Sequence, residues 1–397
     1  MIKRILNWSI LAILIGVTAG FTSWSFNYCL KFAIEARETN PWFIYFLPFV
    51  GSIVAWLYVK FGSEIDAGNN LVIDEIHQPQ KHIAFRMVPM IFISSTLSHL
   101  FGASVGREGA AVQMGAGIAD QFNKFVGKFF NNRKIILMMG MSAGFSSLFG
   151  APIAGTIFGM ELLFLGSLTY EALFPCLLSS TVGFFTSAYL GIEHMPLVVG
   201  EIPHLHPKTV LAALFLGAVC GVVAKFFLWL LHWFKNILAQ KFSNPIIRPM
   251  IGGGMMIVLY LLINSDRYLN LGEKYIIQSF NQIMYPWDFL GKITSTVISV
   301  GAGFRGGEVM SLFYIGATLG NTLSYLVPLA QPICAALGFV AVFAGAVNTP
   351  LTAIFLAVEY FGGAISIYAA LAVVMSYLIS GHEGLYNSQR KHLLTKI

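Results

Sequence analysis

Long apolar runs, rather than short alternations, dominate the chain. Residues 5–30, 135–160, 172–192, 309–358 and 360–381 each contain no Asp, Glu, Lys or Arg. A helix needs about 20 apolar residues to cross a bilayer, so each run is long enough to supply a span. A membrane barrel strand would alternate polar and apolar positions over about 10 residues, and these runs do not. Residues 5–30 are too long, and lack the small-residue cleavage site, to be a removed signal peptide; they predict the first spanning helix. The runs are often broken. Pro48, Pro89, Pro152, Pro175, Pro328, Pro332 and Pro350 fall within or beside them, with Gly clusters nearby. Such breaks are tolerated at membrane depth only where backbone is buried or lines a cavity. The pattern therefore predicts an all-α integral membrane protein of roughly 16–18 helical pieces, tilted or half-spanning, several shorter than the ~20 residues of a full crossing.

Composition agrees. Of 397 residues, 56% are apolar and only 11% are charged, against about 25% charged in a soluble domain; mean hydropathy is +0.73. A soluble enzyme, a disordered protein and a secreted disulfide scaffold are excluded. The net charge of +6 does not call for a nucleic-acid partner. Lys3, Arg4, the basic residues from Lys124 to Lys134, Arg390, Lys391 and Lys396 lie between apolar runs and at the ends. That is the positive-inside bias, and it places both termini in the cytoplasm of a cell whose inner membrane holds the protein. Cys29, Cys176, Cys220 and Cys334 stand singly in apolar runs, without metal or disulfide spacing, and read as small packing residues. The longest polar stretches, 62–86 and 120–134, are loop-sized. One transmembrane domain over residues 1–397 is expected, with no C-terminal cytosolic domain.

A weak internal repeat divides it into halves of about 1–200 and 201–397. AGFSSLFGAPIAGTIFGMEL (143–162) resembles FAGAVNTPLTAIFLAVEY (343–360), pairing Pro152 with Pro350 and Glu161 with Glu359. Upstream of each lies a Gly-rich turn with a glutamate, Gly106-Arg-Glu-Gly109 and Gly306-Gly-Glu-Val309. Matching interrupted helices in two halves point to a transporter with a site at the bilayer midplane.

Three Gly-rich breaks precede apolar helical stretches: 67–70, 106–109 and 303–309. Glycine lets backbone approach an ion closely. The following helix offers unpaired N–H groups and about half a positive charge at its start. Several such starts aimed at one point make an anion site without a full buried cation. Glu108 sits at one of them. A carboxylate at membrane depth is a functional hypothesis by default. Ionised, Glu108 is itself an anion and competes for the site; protonated, it loses that attraction and swings away, linking proton uptake to anion movement. The alternative is a carboxylate that only satisfies helix N–H donors.

GREGAAVQMGAGIAD (106–120) resembles the Gly-Arg-Glu-Gly-Pro signature of the CLC chloride channels and transporters, and GFSSLFGAPIAGTIFGMEL (144–162) resembles that family's Pro-containing helix pair. The resemblance covers the whole chain in order. It implies an inverted-repeat bundle, a homodimer with one anion pathway per subunit, no cofactor, and a gating glutamate at Glu108. Departures narrow the branch. Chloride-type members carry Gly-Ser-Gly-Ile-Pro at the first break, where this chain has Gly68-Asn-Asn70, and Gly-x-Phe-x-Pro at the third, where it has Gly307-Glu-Val-Met310. Chloride/proton exchangers also carry two adjacent glutamates after the proline helix; the first falls on Glu161 and the second on Leu162.

These departures resemble the fluoride/proton antiporter branch. The resemblance implies Asn69 as the filter residue, Glu308 as a second functional glutamate, and Tyr386 at the inner end of the pathway. Gly68, Asn70, Arg107, Gly109, Gly306, Gly307, Val309 and Met310 complete the expected anion site, largely through backbone amides after Gly106 and Gly306. Met310-Ser311 replaces that branch's usual Thr-Pro, which implies altered coupling or rate, and Ala110 replaces the wider family's Pro, a mild change at a helix start. Independently, Asn69 supplies two N–H donors where serine offers one O–H, which suits strongly hydrated fluoride. Asn69 and Asn70 also suit helix caps, Glu308 also suits a helix cap, and Tyr386 also suits an interfacial aromatic.

The expectation is a transporter, not an enzyme, that exports fluoride in exchange for protons across the lipid bilayer; a chloride channel or chloride/proton exchanger on the same fold is the runner-up. An intramembrane protease would need a Ser–His pair or a metal motif. His99 lies near Ser94, Ser95 and Ser98, yet no nucleophile turn accompanies it. A sensor without transport would not need paired helix breaks. His194, His204 and His206 read as a solvated loop rather than a metal site, and Asp66, Asp74 and Glu75 as surface or helix-start charges. Most of the 34 Phe residues are expected to face lipid or the core, and the electropositive ring edges of some suit an anion.

Overall fold

The computed structural model describes residues 2–130 and 132–391, apart from the side chains of residues 126–129. Lys396, expected among the cytoplasmic basic residues, lies outside them. The described residues form sixteen α-helices. The first half carries α1 (Ile2–Thr39), α2 (Leu47–Phe61), α3 (Asn69–His77), α4 (Met87–Leu100), α5 (Glu108–Phe130), α6 (Arg133–Phe149), α7 (Pro152–Glu161) and α8 (Leu173–Tyr189). The second carries α9 (Pro207–Lys241), α10 (Ile247–Ile263), α11 (Glu273–Asn281), α12 (Asp288–Ala302), α13 (Val309–Leu323), α14 (Gln331–Val347), α15 (Pro350–Phe361) and α16 (Ser366–Ser380). Five helical segments are long and apolar enough to cross a membrane. Others, such as the nine-residue α3 and α11 and the ten-residue α7, are too short to do so alone.

Proline and glycine set the breaks. Pro152 and Pro350 occupy the first turns of α7 and α15, where a missing N–H costs nothing. Left-handed Gly150 and Asn348 end the helices before them. The run 309–358 thus folds into α13, α14 and most of α15 rather than into straight spans.

α6 and α14 are buried on all sides, residues 135–149 in one and 333–347 in the other. A helix apolar all round belongs at the centre of a bundle. Each central helix is gripped by its predecessor through a glycine seam. A Cβ on Gly115 of α5 would overlap the Gly140 carbonyl of α6, and one on Gly316 of α13 would overlap the Gly338 carbonyl of α14. Small residues of this kind let membrane helices pack closely where lipid supplies no hydrophobic drive. Outside, α1 and α9 expose large apolar side chains such as Phe21, Phe32, Val222 and Trp229, as a lipid-facing surface does.

One short parallel ladder interrupts the all-helical pattern. β1 (Phe164–Leu165) pairs with β2 (Arg390–Lys391). It docks the segment after α16 beneath the bundle. Leu385 N–H donates to the Ala346 carbonyl at 2.9 Å, and Gln389 Nε2 donates to the carbonyls of Leu162 and Val347 at 3.0 Å. That docking carries Tyr386 into the protein.

Glu75 departs from the expectation of a surface charge. It is 7% exposed at the end of α3 and receives Arg133 Nη1 at 2.7 Å. Arg133 Nε also reaches Asp120 Oδ1 at 2.6 Å. One guanidinium thereby ties α3 to α5 and α6, because two buried carboxylates require a shared cation. Asp66 pairs with Arg305.

Candidate functional site

The three Gly-rich breaks meet. Gly106 and Gly307 exchange backbone hydrogen bonds as an antiparallel pair, with Gly307 N–H donating to Gly106 O at 2.7 Å. This brings the starts of α5 and α13 together. Gly68, immediately before α3, has φ +58° and ψ −122°, a conformation that is essentially glycine's own. It turns the start of α3 onto the same point. Asn69, 8% exposed, follows it. A Cβ on Gly109 would meet Asn69 Nδ2 at 3.1 Å and Gly307 Cα at 3.1 Å, so no side chain fits between the three segments.

Glu108, 1% exposed, fills the point of convergence. Its Oε2 accepts from Arg107 N–H at 3.1 Å and from Met310 N–H at 3.2 Å. A carboxylate on two backbone donors at adjoining helix starts occupies the place those donors would offer a free anion. The functional and capping interpretations of this residue therefore describe one geometry. Val309 and Met310 are buried at the start of α13.

A cavity of about 520 Å³ approaches this point from one face. Gly68, Asn69, Asn70, Gly306, Glu308 and Tyr386 line it, while Glu108 is not among its lining residues. Tyr386 is 6% exposed and its side chain meets Asn69. Arg305, Lys235 and Arg248 bring three cations to the wall against Asp66 and Glu308. Arg305 is neutralised by Asp66 and lies 3.8 Å from the centre of the Tyr58 ring. The remaining charge favours anions entering from solution.

Two expected anion-site residues have their side chains engaged elsewhere. Asn70 Oδ1 accepts from Ser388 N–H at 3.1 Å and so helps to hold the segment that carries Tyr386. Arg107 points away from the cavity, donating to Asn27 Oδ1 at 2.8 Å and pairing with Glu273 at 2.6 Å. Ser311 Oγ, in the unusual Met-Ser pair, is fully buried and has no hydrogen-bond partner among the described residues.

Several residues escaped the sequence. Gln113 stands one turn after Gly109, and its amide lies 3.0 Å from where a Cβ on Gly68 would be; helical spacing from the motif was its only signal. Lys235 and Glu273 lie far from every motif and carry no local signal.

The histidines also find places. His206 Nδ1 accepts from Lys208 N–H at 3.2 Å and caps α9, while His194 packs over Gly150. The buried His99 ring takes the Ser95 carbonyl at 2.7 Å, and the Ser94 and Ser98 hydroxyls are spent on carbonyls within α4.

Broken helices whose starts converge on a buried carboxylate, beside an electropositive cavity, define a membrane anion-transport protein. A model of the voltage gated chloride channel family matches residues 50–381, and the chain belongs to that family. It is 45% identical over 396 residues to a chloride/fluoride channel protein of Pseudomonas syringae pv. tomato, covering 98% of this chain and 88% of that one. A crystal structure of a CLC-type fluoride/proton antiporter superposes with a TM-score of 0.94 at 36% identity, covering 98% of both chains. A slow cyanobacterial Cl−/H+ antiporter shares the fold, with a TM-score of 0.82 at 18% identity and 94% coverage of both.

Proposed function

We propose that the protein is a secondary active transporter that exchanges fluoride for protons, using the inward proton gradient to export fluoride. One observation carries this reading: the Glu108 carboxylate sits in the seat formed by the starts of α5 and α13, 3.1 and 3.2 Å from backbone donors. A group that titrates and also competes with the anion for one position couples the two movements. In this reading Glu108 is the gate and proton carrier. Glu308, facing the cavity one residue before α13, is the second proton-transfer glutamate. Asn69 and Tyr386 bound the inner constriction, with the amides at the starts of α3, α5 and α13 completing the anion path.

Fluoride rather than chloride is supported by the 36% identical fluoride/proton antiporter, while the name of the 45% identical chloride/fluoride channel protein fits either ion. The residues agree with it: Asn69 stands at the filter position, Gly-Gly-Glu-Val precedes α13, and Leu162 replaces a second glutamate. The relatives are ion transporters, and no enzymatic step is proposed. We place the protein in the cell inner membrane as a homodimer with one pathway per subunit and both termini in the cytoplasm, so that the cavity is the cytoplasmic vestibule. The two halves act as inverted repeats around the site.

The test is purified protein in liposomes, with fluoride and chloride efflux read by ion-selective electrodes and proton uptake by an internal dye. Fluoride efflux coupled to proton uptake, with chloride efflux much slower, is expected. Chloride efflux equal to or faster than fluoride would overturn the choice of ion.

A further inference from the structure

Arg107 is divided between two carboxylates. Its Nη2 lies 2.6 Å from Glu273 Oε1, while its Nε lies 3.9 Å from Glu108 Oε1. That Nε and that Oε1 are both buried and lack hydrogen-bond partners among the described residues. An open donor and an open acceptor left unpaired at this depth are costly. Just beyond bonding distance, they mark a contact that a small side-chain movement completes. Asn27 and Glu273 hold the other arms of the guanidinium.

The Glu273 side chain is 32% exposed and is not among the residues that line the vestibule, and in the orientation proposed above it is assigned to the external side. The groups facing it come from every neighbouring element. Arg107 and Glu108 belong to the 106–109 break, and His194 to the 190–206 connection. Lys292 of α12 donates to the Asn270 carbonyl at 2.6 Å, and its Nζ is 3.7 Å from the Cβ position of Gly272. Tyr314 of α13 and Tyr360 of α15 complete the set, and Lys274 flanks it. α14 brings no carboxylate or imidazole. In this set Glu273 and Glu108 are the two acids, and Arg107 is the cation they share.

We propose that Glu273 governs how much of the Arg107 charge acts on Glu108, and thereby sets the external pH at which Glu108 takes up its proton. Glu273 is a positioning residue in this role, and the inference rests on Glu108 being the proton carrier. The sign follows from electrostatics. Ionised Glu273 cancels much of the Arg107 field and adds its own repulsion, which favours neutral Glu108. Neutralising Glu273 leaves Arg107 free to stabilise ionised Glu108, so a more acid exterior is needed to load the proton.

The experiment measures fluoride/proton exchange in liposomes while external and internal pH are varied separately, for wild type, E273Q and E273D. E273Q is expected to move the external pH of half-maximal exchange about one unit toward acid, a tenfold rise in required proton activity. Its internal pH profile stays in place, and E273D stays near wild type. An E273Q external profile that overlays wild type, or external and internal profiles that move together, overturns the proposal. If E273Q transports too slowly, fluoride binding to detergent-solubilised protein is titrated against pH, because ionised Glu108 competes with fluoride. An acid shift of the binding midpoint supports the proposal and an unmoved midpoint overturns it. Wild-type protein that moves fluoride without protons would instead overturn the parent reading of Glu108.

Discussion

Glu161 caps the helix that carries Glu359, and Glu359 caps the helix that carries Glu161. Glu161 at the end of α7 accepts from Leu351 N–H and Thr352 N–H at 2.8 Å, and from the Thr352 hydroxyl at 2.7 Å. Glu359, near the end of α15, accepts from Ile153 N–H and Ala154 N–H at 2.8 Å. Each carboxylate meets a helix start, where partial positive charge collects. The pair locks the two proline helices together and explains why Glu161 is a clamp even though Leu162 follows it.

Breaking the clamp should cost stability rather than coupling. Glu161→Gln removes the charge from a 5% exposed site and leaves one acceptor oxygen for three donors. A loss of about 1–3 kcal/mol is expected. Glu359→Gln should cost less, since Glu359 is only half-buried. Thermal unfolding in detergent measures both, and a proton-to-fluoride ratio unchanged from wild type is expected in each.

Glu108→Gln should abolish proton coupling while fluoride still moves down its gradient. Glutamine cannot take up and release the proton, and it no longer enters the anion seat as a charge. Proton uptake driven by a fluoride gradient in liposomes is the readout, and persistent uptake would remove Glu108 from the role of carrier.

Asn69→Ser should weaken the preference for fluoride. One O–H replaces two N–H donors, and losing roughly one neutral hydrogen bond, ~1.4 kcal/mol, is a tenfold change. Paired fluoride and chloride efflux rates measure it. An unaltered ratio would remove Asn69 from the role of filter residue.

A single methyl group should displace the gate. A Cβ on Gly106 would stand 2.7 Å from Glu108 Oε2 and 3.0 Å from the Gly307 carbonyl. The Gly106–Gly307 pairing keeps the backbone from yielding. Gly106→Ala is therefore expected to slow exchange at least tenfold for a stability cost of about 1–3 kcal/mol, read from flux and thermal unfolding on the same preparation.

Arg133→Ala should be the most damaging of these changes to stability. It leaves buried Glu75 and fully buried Asp120 without their shared cation, a loss of about 3–5 kcal/mol. Lysine should not rescue it, because a single ammonium cannot reproduce the forked bonds to both acids. Monodispersity and unfolding temperature in detergent provide the check.

The long charge-free apolar runs and scarce charges by themselves determined that the chain is a helical membrane protein, since nothing else buries such stretches. The prolines and glycines determined where helices stop, because these residues act on their own backbone. Gly68, Gly106 and Glu108 were legible for the same reason: each constrains or charges a helix start at or within two residues of itself. Only the tertiary structure decided what those starts face. It paired Gly106 with Gly307, buried Glu75 against Arg133, turned Arg107 toward Glu273 and set Lys235 in the vestibule wall. Contacts between elements so distant along the chain depend on how the helices pack. Local sequence pattern cannot carry that information, because hydrophobicity is non-directional and fixes burial without fixing partners.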